Sequence, residues 1–362
     1  MKNQASDPLD DGVLAVTDLE PMARERLPRE VWDYLASGAG DQRTLDQNIE
    51  AWQSPPFAPK VMMGLAAIDT SIALLGRSLP HPILFAPTAL QTNYHPDGEA
   101  ATMRAAARTG TTYIQSTLSG VPLDQIGAIA RSAPTEDGDA AHWWFQTYLH
   151  HDRGFTRSLV ESAIGAGAES IVLTVDSPLL GARDDDRRNG WGGMPDDGIR
   201  IHERILNPYL ASDISWTDLD WLVDLVGDVP VLVKGVLRAD DAVEAIEHGA
   251  RGVIVSNHGA RNLDTIVPTA VALPAIAGAI GGRVPVLVDG GVRRGTDVAR
   301  ALCRGADAVL VGRPYVWGLA THGEAGVAHV AQILRAELAM AMGLVGAATT
   351  GELTPSLLWP PR

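Results

Sequence analysis

The sequence predicts an α/β fold: a (β/α)8 TIM-type barrel with an N-terminal helical extension and a lid loop after the fourth strand. Three observations carry this. Eight apolar, strand-like runs recur at 82–89, 112–116, 143–148, 170–176, 229–235, 252–258, 284–291 and 308–313. Segments with helical periodicity fill most of the intervals. One interval, Ser177–Trp216, breaks the rhythm. Strands alternating with helices signal parallel strands joined by right-handed crossovers, and eight such units make a closed barrel of roughly 250 residues. The competing doubly wound sheet has fewer strands and a glycine-rich loop after the first. No such loop follows residues 82–89.

In order, residues 1–14 read as a loose leader. Helical patterns follow at Leu19–Arg26, at Pro28–Ser37, where Pro28 suits a first helical turn, and at Asp41–Trp52. Two short strand-like stretches lie near Thr70–Leu75. The barrel helices are expected at Gly98–Arg108, Leu123–Arg131, Phe155–Ala166, Leu219–Val226, Ala239–His248, Thr269–Ile280 and Thr296–Arg304, with a closing helix at Ala325–Met342. The expected organisation is an extension over 1–80, a barrel over 81–345 and a tail over 346–362. The interval Ser177–Trp216 holds Asp184-Asp185-Asp186-Arg187-Arg188, Trp191-Gly192-Gly193 and Pro195. A connection of that length is a functional loop or a disordered insertion, and its place at the C-terminal end of the strands suits a lid.

With 46% hydrophobic and 20% charged residues, the chain is globular rather than disordered. A formal net charge of −15 argues against nucleic acid or an anionic membrane as the main partner. The single cysteine, Cys303, leaves no intrachain disulfide and fits a reducing compartment. The first residues lack the apolar core of a signal peptide, and no apolar run reaches the ~18 residues of a membrane span. A soluble, cytoplasmic protein is the expectation.

In this architecture active sites form at the C-terminal ends of the strands. There the sequence places Thr88, Ser116, Gln146, Tyr148, Thr174, Asp176, Lys234, Ser256, His258, Asp289 and Arg313 after apolar strand bodies. A structural barrel has no need of polar groups at every strand end. The run SNHGARNLD (256–264) ends a buried strand with a histidine suited to proton transfer and an arginine whose planar fork matches a carboxylate. Gly290-Gly291 with Arg293, and Gly312-Arg313, follow the seventh and eighth strands, the common phosphate position of these barrels. The helix starting near Arg294 is expected to add its dipole and free N–H donors. Lys234 could be a Schiff-base nucleophile, half of an ion pair, or a cation beside an electron-accepting ring.

The motifs APTA, LTVDSP, VLVKGV, SNHGARNLD, LVDGGVRRGTDV and LVGRP, with LPREVWDYLASGAGDQRTLDQN near the start, closely resemble the FMN-dependent α-hydroxy acid oxidases and dehydrogenases, typified by glycolate oxidase, lactate oxidase and mandelate dehydrogenase. The resemblance spans about Leu19 to Met342. It implies bound FMN, no metal, and oxidation of an (S)-2-hydroxy acid to a 2-oxo acid, with O2 or another carrier as electron acceptor, in a homo-oligomer (tetramer or octamer). By position it implies His258 as base and Asp176 as the carboxylate orienting it. Arg261 and Arg183 would grip the substrate carboxylate, and Tyr34 and Tyr148 would hydrogen-bond the substrate. It implies Ala86, Pro87, Thr88, Ser116, Gln146, Thr174 and Ser256 against the flavin ring and ribityl chain, Lys234 beside the ring, and Asp289, Gly290, Gly291, Arg293, Gly312 and Arg313 toward ribityl and phosphate.

Leu118 stands where glycolate oxidases carry a tryptophan, and Thr92-Asn93-Tyr94 departs from the usual residues before His95-Pro96. These departures reshape the substrate pocket and point to a medium aliphatic or aromatic 2-hydroxy acid. An FMN enzyme acting on another substrate type, a flavin-binding scaffold without turnover, and a phosphate-sugar isomerase on the same fold are the alternatives. The arginine pair, the His258–Asp176–Tyr148 set and the flavin-like motif at 86–88 argue against them in turn.

Overall fold

The computed structural model describes residues 12–133, 135, 140–189 and 209–360. Within them, β3 (Ile83–Phe85), β4 (Tyr113–Ser116), β5 (Trp143–Thr147), β6 (Ile171–Thr174), β7 (Val231–Val236), β8 (Gly252–Val255), β9 (Val286–Val288) and β10 (Ala308–Val311) close a parallel barrel, with β10 pairing back onto β3. Seven fall inside the apolar runs of the sequence, and β7 extends one residue past its run. Side chains alternate across a strand, and the alternation divides the core in two. Leu84, Ile114, Trp144, Val172, Leu232, Ile254, Leu287 and Leu310 fill the barrel interior. Their neighbours Ile83, Phe85, Tyr113, Phe145, Leu173 and Val253 belong to the outer core under the helices. The hairpin β1 (Ile72–Leu74) and β2 (Arg77–Leu79) joins the inner cluster through Leu74 and Leu79.

The helices follow the expected spacing: α4 (Gly98–Thr109), α5 (Leu123–Ser132), α6 (Arg153–Ala166), α8 (Trp216–Val226), α9 (Ala239–Glu247), α10 (Thr269–Ile280) and α11 (Gly295–Cys303). In the extension, α1 (Leu19–Arg26), α2 (Arg29–Ala36) and α3 (Arg43–Glu50) match their predicted segments to within two residues at each end. The strand-like stretch near 70–75 is a hairpin reaching Leu79. Of the lid interval, the structure describes Ser177–Asn189, ending in the short helix α7 (Asp184–Asn189), and resumes at Tyr209. Trp191, Gly192, Gly193 and Pro195 lie outside the described residues.

Two expectations about the last helix need correction. It runs over Arg313–Val345 (α12), not Ala325–Met342, because Pro314 starts a helix rather than prolonging a loop. His322 (φ −134°) and Gly323 (φ 57°) break it into two arms. By length and composition α12 is also long and apolar enough to cross a membrane, although its apolar residues are interrupted by charged ones; half of its most apolar stretch is buried inside the molecule. After α12 the chain folds back on the extension: Ala58 N–H donates to Leu357 O at 2.7 Å, and Leu353, Leu357 and Leu358 are buried.

Candidate active site

The polar strand ends form a linked ladder at the C-terminal mouth. Ser116 Oγ donates to Gln146 Oε1 (3.3 Å), and Gln146 Nε2 donates to Thr174 Oγ1 (3.0 Å), joining β4, β5 and β6. On β7, buried Lys234 donates to Ser256 Oγ at 2.8 Å and pairs with Asp289 Oδ2 at 3.3 Å. The other Asp289 oxygen, Oδ1, is buried with no hydrogen-bond partner among the described residues. Such an acceptor costs roughly 1–3 kcal/mol until something donates to it.

After β8 the backbone turns through three successive left-handed residues, His258 (φ 57°), Gly259 (φ 61°) and Ala260 (φ 64°). For His258 and Ala260 that conformation costs roughly 1–2 kcal/mol each, and strain of this kind gathers at functional sites. The turn is held from outside. Asn257 and Asn48 of α3 exchange amide hydrogen bonds at 2.9 and 2.8 Å, and His258 N–H donates to Ser256 Oγ. The result sets His258 Nδ1 2.9 Å from Asp176 Oδ1. Burial works to raise the Asp176 pKa, but the charge and hydrogen bond of His258, with the charge of Lys234, outweigh it and hold it below its ordinary value. Asp176 is thus a carboxylate aimed at the imidazole. Asn262 Nδ2 donates to the Asp176 carbonyl at 2.7 Å and locks the loop that carries it.

Two arginines converge beside this pair. The guanidinium carbons of Arg261 and Arg183 lie 4.8 and 4.9 Å from the centre of the Tyr34 ring. Arg261 Nη1 donates to the carbonyls of Tyr34 and Ser37. Burial, then the charge of Arg183, push the Arg261 pKa down. Arg183 pairs with Asp186 of α7 at 3.1 Å. Burial raises the Asp186 pKa in turn, against the pull of Arg183 and Arg261.

A second basic centre lies toward β9 and β10. Arg313 donates to three backbone carbonyls, those of Leu35, Gly259 and Ser37, at 2.9–3.0 Å. Burial and the charges of Arg261 and Arg293 push its pKa far down. Among the described residues, no carboxylate forms a hydrogen bond or ion pair with it. A buried guanidinium in that state calls for an anion. Gly290 (φ 92°) and Gly291 (φ 84°) adopt backbone that L side chains rarely take, and a Cβ on Gly291 would overlap the Asn48 carbonyl.

Here the structure overturns the expectation that the helix near Arg294 has free donors. The N–H groups of Arg293 and Arg294 both donate to Asp297 Oδ2, and Gly295 N–H donates to Glu337 Oε2. The start of α11 is capped from within. The N-terminus facing the cavity belongs to α12, at Gly312-Arg313.

Nearly every residue marked from the sequence lines one cavity: Tyr34, Ala86, Pro87, Thr88, Ser116, Leu118, Gln146, Tyr148, Thr174, Arg183, Lys234, His258, Arg261, Asp289, Gly290, Gly291, Arg293, Gly312 and Arg313. Asp176 and Ser256 stand behind the wall, hydrogen-bonded to His258 and Lys234. A family model described as FMN-dependent dehydrogenase matches residues 23–360. The chain belongs to the FMN-dependent dehydrogenase family. Its relatives include an L-lactate oxidase of Nostoc sp., 41% identical, with 94% of this chain and 96% of that protein covered. Glycolate oxidase 3 of Arabidopsis thaliana is also 41% identical, with 94% of each covered. A crystal structure of mandelate oxidase superposes with a TM-score of 0.86 at 38% identity, covering 94% of this chain and 96% of that one.

The cavity fits the cofactor of this FMN-dependent family. Arg313 needs an anion such as a phosphate, the paired glycines leave room for close backbone approach, and Asp289 Oδ1 awaits a donor such as a ribityl hydroxyl. Lys234 supplies a buried cation at the centre of the mouth. Sequence reasoning missed Asn48, Asn262 and Asp186 as supports of the site. The first two carry no local signal, since their partners lie more than 80 residues away. Asp186 was visible only as one of three aspartates in a row.

Proposed function

We propose that this flavoprotein oxidises an (S)-2-hydroxy acid with an apolar side chain to the 2-oxo acid, with O2 as electron acceptor and hydrogen peroxide as product. The observation that carries the reading is the convergence of the Arg261/Arg183 pair and the His258–Asp176 pair on one cavity. FMN, when bound, accepts two electrons. The protein's own residues do the rest. Arg261 and Arg183 hold the substrate carboxylate, which fixes the neighbouring carbon and its hydroxyl relative to His258. His258 takes up the proton released in oxidation, and Asp176 stabilises the resulting imidazolium. Tyr148, whose pKa burial raises so that it stays a protonated donor, hydrogen-bonds the substrate hydroxyl.

Leu118, Leu179, Leu180 and Leu210 line the same cavity and support an apolar substrate side chain. The names of the relatives as oxidases support O2. Exposed Val61, Met62 and Met63 sit in the loop that bonds to the end of α12, where Met340 and Leu344 are also exposed. That cluster supports a homo-oligomer, a tetramer or octamer, which light scattering on eluting protein would measure.

The test is anaerobic mixing of the flavin-loaded protein with glycolate, lactate, 2-hydroxyisocaproate and mandelate, following flavin absorbance. Bleaching by the longer acids in preference to glycolate is expected, with colour and peroxide appearing when air is admitted. A yellow protein that none of them bleaches would overturn the reading.

A further inference from the structure

Tyr94 lies in the loop after β3, where the chain passes through a short turn (Gln91–Asn93) before α4. The tyrosine is 5% exposed and lines the cavity. Its hydroxyl is buried and has no hydrogen-bond partner among the described residues. Buried tyrosine hydroxyls ordinarily find one.

The loop is not loose. Gln91 is a buried hub: its Nε2 donates to Thr88 O, Tyr113 Oη and Tyr315 Oη, and its Oε1 accepts from Thr102 Oγ1 at 2.6 Å. Tyr94 N–H donates back to Gln91 O at 3.0 Å, and Leu90 N–H to Leu118 O at 2.8 Å. The phenol is therefore held in place with its donor unused. Its electrostatic neighbours are Tyr34, Arg261, Tyr315 and Arg183, three of which form the cluster assigned to the substrate carboxylate. Burial and Tyr34 keep it protonated, so it can only offer a proton to an anion.

We propose that Tyr94 is a substrate-binding residue, donating a hydrogen bond to the substrate carboxylate beside Arg261 and Arg183. The proposal rests on the reading of that pair given above. It makes the carboxylate grip four-membered, with two guanidinium groups and two phenols, Tyr34 and Tyr94. An orphaned donor on the same cavity as these two guanidinium groups is satisfied by the same carboxylate that they would hold.

The variant Tyr94→Phe keeps the ring and removes the donor. In the flavin-loaded enzyme it is expected to raise KM roughly tenfold or more for every 2-hydroxy acid, whatever its side chain, with the effect on KM rather than kcat. The dissociation constant of a non-reacting carboxylate, the deoxy analogue of the best substrate, read from the perturbed flavin spectrum, is expected to weaken equally. The ligand-free protein should melt no lower than wild type, because the hydroxyl has no partner to lose. Unchanged KM and dissociation constant would overturn the proposal. So would a loss confined to substrates with polar side chains, or a lowered ligand-free Tm that accounts for the weaker binding. Should no hydroxy acid reduce the wild type, the proposed reaction fails, while the carboxylate titration still decides the role of Tyr94.

Discussion

His258 is useful because of what faces it. With Asp176 Oδ1 2.9 Å from Nδ1, the ring's other nitrogen is left for the substrate in the proposed reaction, and an imidazolium formed there would meet a carboxylate. Asp176→Asn preserves the shape and removes the charge. A fall in kcat of roughly 10²–10⁴ is expected, by analogy with the carboxylate of a hydrolytic triad, with a small change in KM; steady-state turnover of the best hydroxy acid measures both. His81 shows the opposite case, a histidine buried for structure. Its Nε2 lies 3.0 Å from the Thr109 carbonyl, and burial pushes its pKa down from 6.5 to about 4. The folded protein therefore binds fewer protons here than the unfolded chain. The stability this gives is fully present above pH 6.5 and is lost as pH falls toward 4, by roughly 3 kcal/mol over that window. Urea midpoints across pH 7 to 4 are expected to fall, and His81→Gln should flatten that part of the slope. Cys303, buried and pushed up to about 12, should resist a thiol reagent until the protein unfolds.

At the scale of elements, the strained turn after β8 depends on α3. Asn48 holds Asn257 with two amide bonds and also accepts from Thr269 N–H. Asn48→Ala leaves that buried amide unpaired, at a cost of roughly 1–3 kcal/mol, and frees the backbone that aims His258. A lower Tm together with a lower kcat is expected from thermal melts and turnover of the same preparation. Gly291→Ala strikes the same contact from the other side, since its Cβ would overlap the Asn48 carbonyl on a backbone at φ 84°. The variant is expected to purify with little or no flavin, read from the ratio of flavin to protein absorbance. Helices were largely legible in the sequence, α1 to the residue. The start of α12 was not, because Gly-Arg-Pro reads as a loop until Pro314 is placed in a first turn.

The whole molecule brings an acidic chain around a basic centre. With a net charge of −15, it nonetheless gathers Arg183, Arg261, Arg293 and Arg313 at one mouth, where burial depresses the pKa values of the last three and the charges of neighbouring arginines add to the effect at Arg261 and Arg313. Such a centre is destabilising by itself and stabilised by anions. Added FMN is therefore expected to raise the Tm of flavin-stripped protein, by about 2.7 kcal/mol of stability at a hundredfold excess over its dissociation constant, and a titration followed by melting checks it. The sequence alone determined the barrel and the polar strand ends, because a parallel strand buried on both faces must read as an apolar run and its chemistry must wait for the end of that run. Only the tertiary structure decided which of those residues meet. Tyr34 and Asn48 reach Arg261 and Asn257 across more than 200 positions, the N–H groups at the start of α11 are spent on Asp297 and Glu337, and Tyr94, within the field of two arginines, is left with a hydroxyl that has no partner among the described residues. Those outcomes depend on packing between distant segments, and no local pattern encodes them.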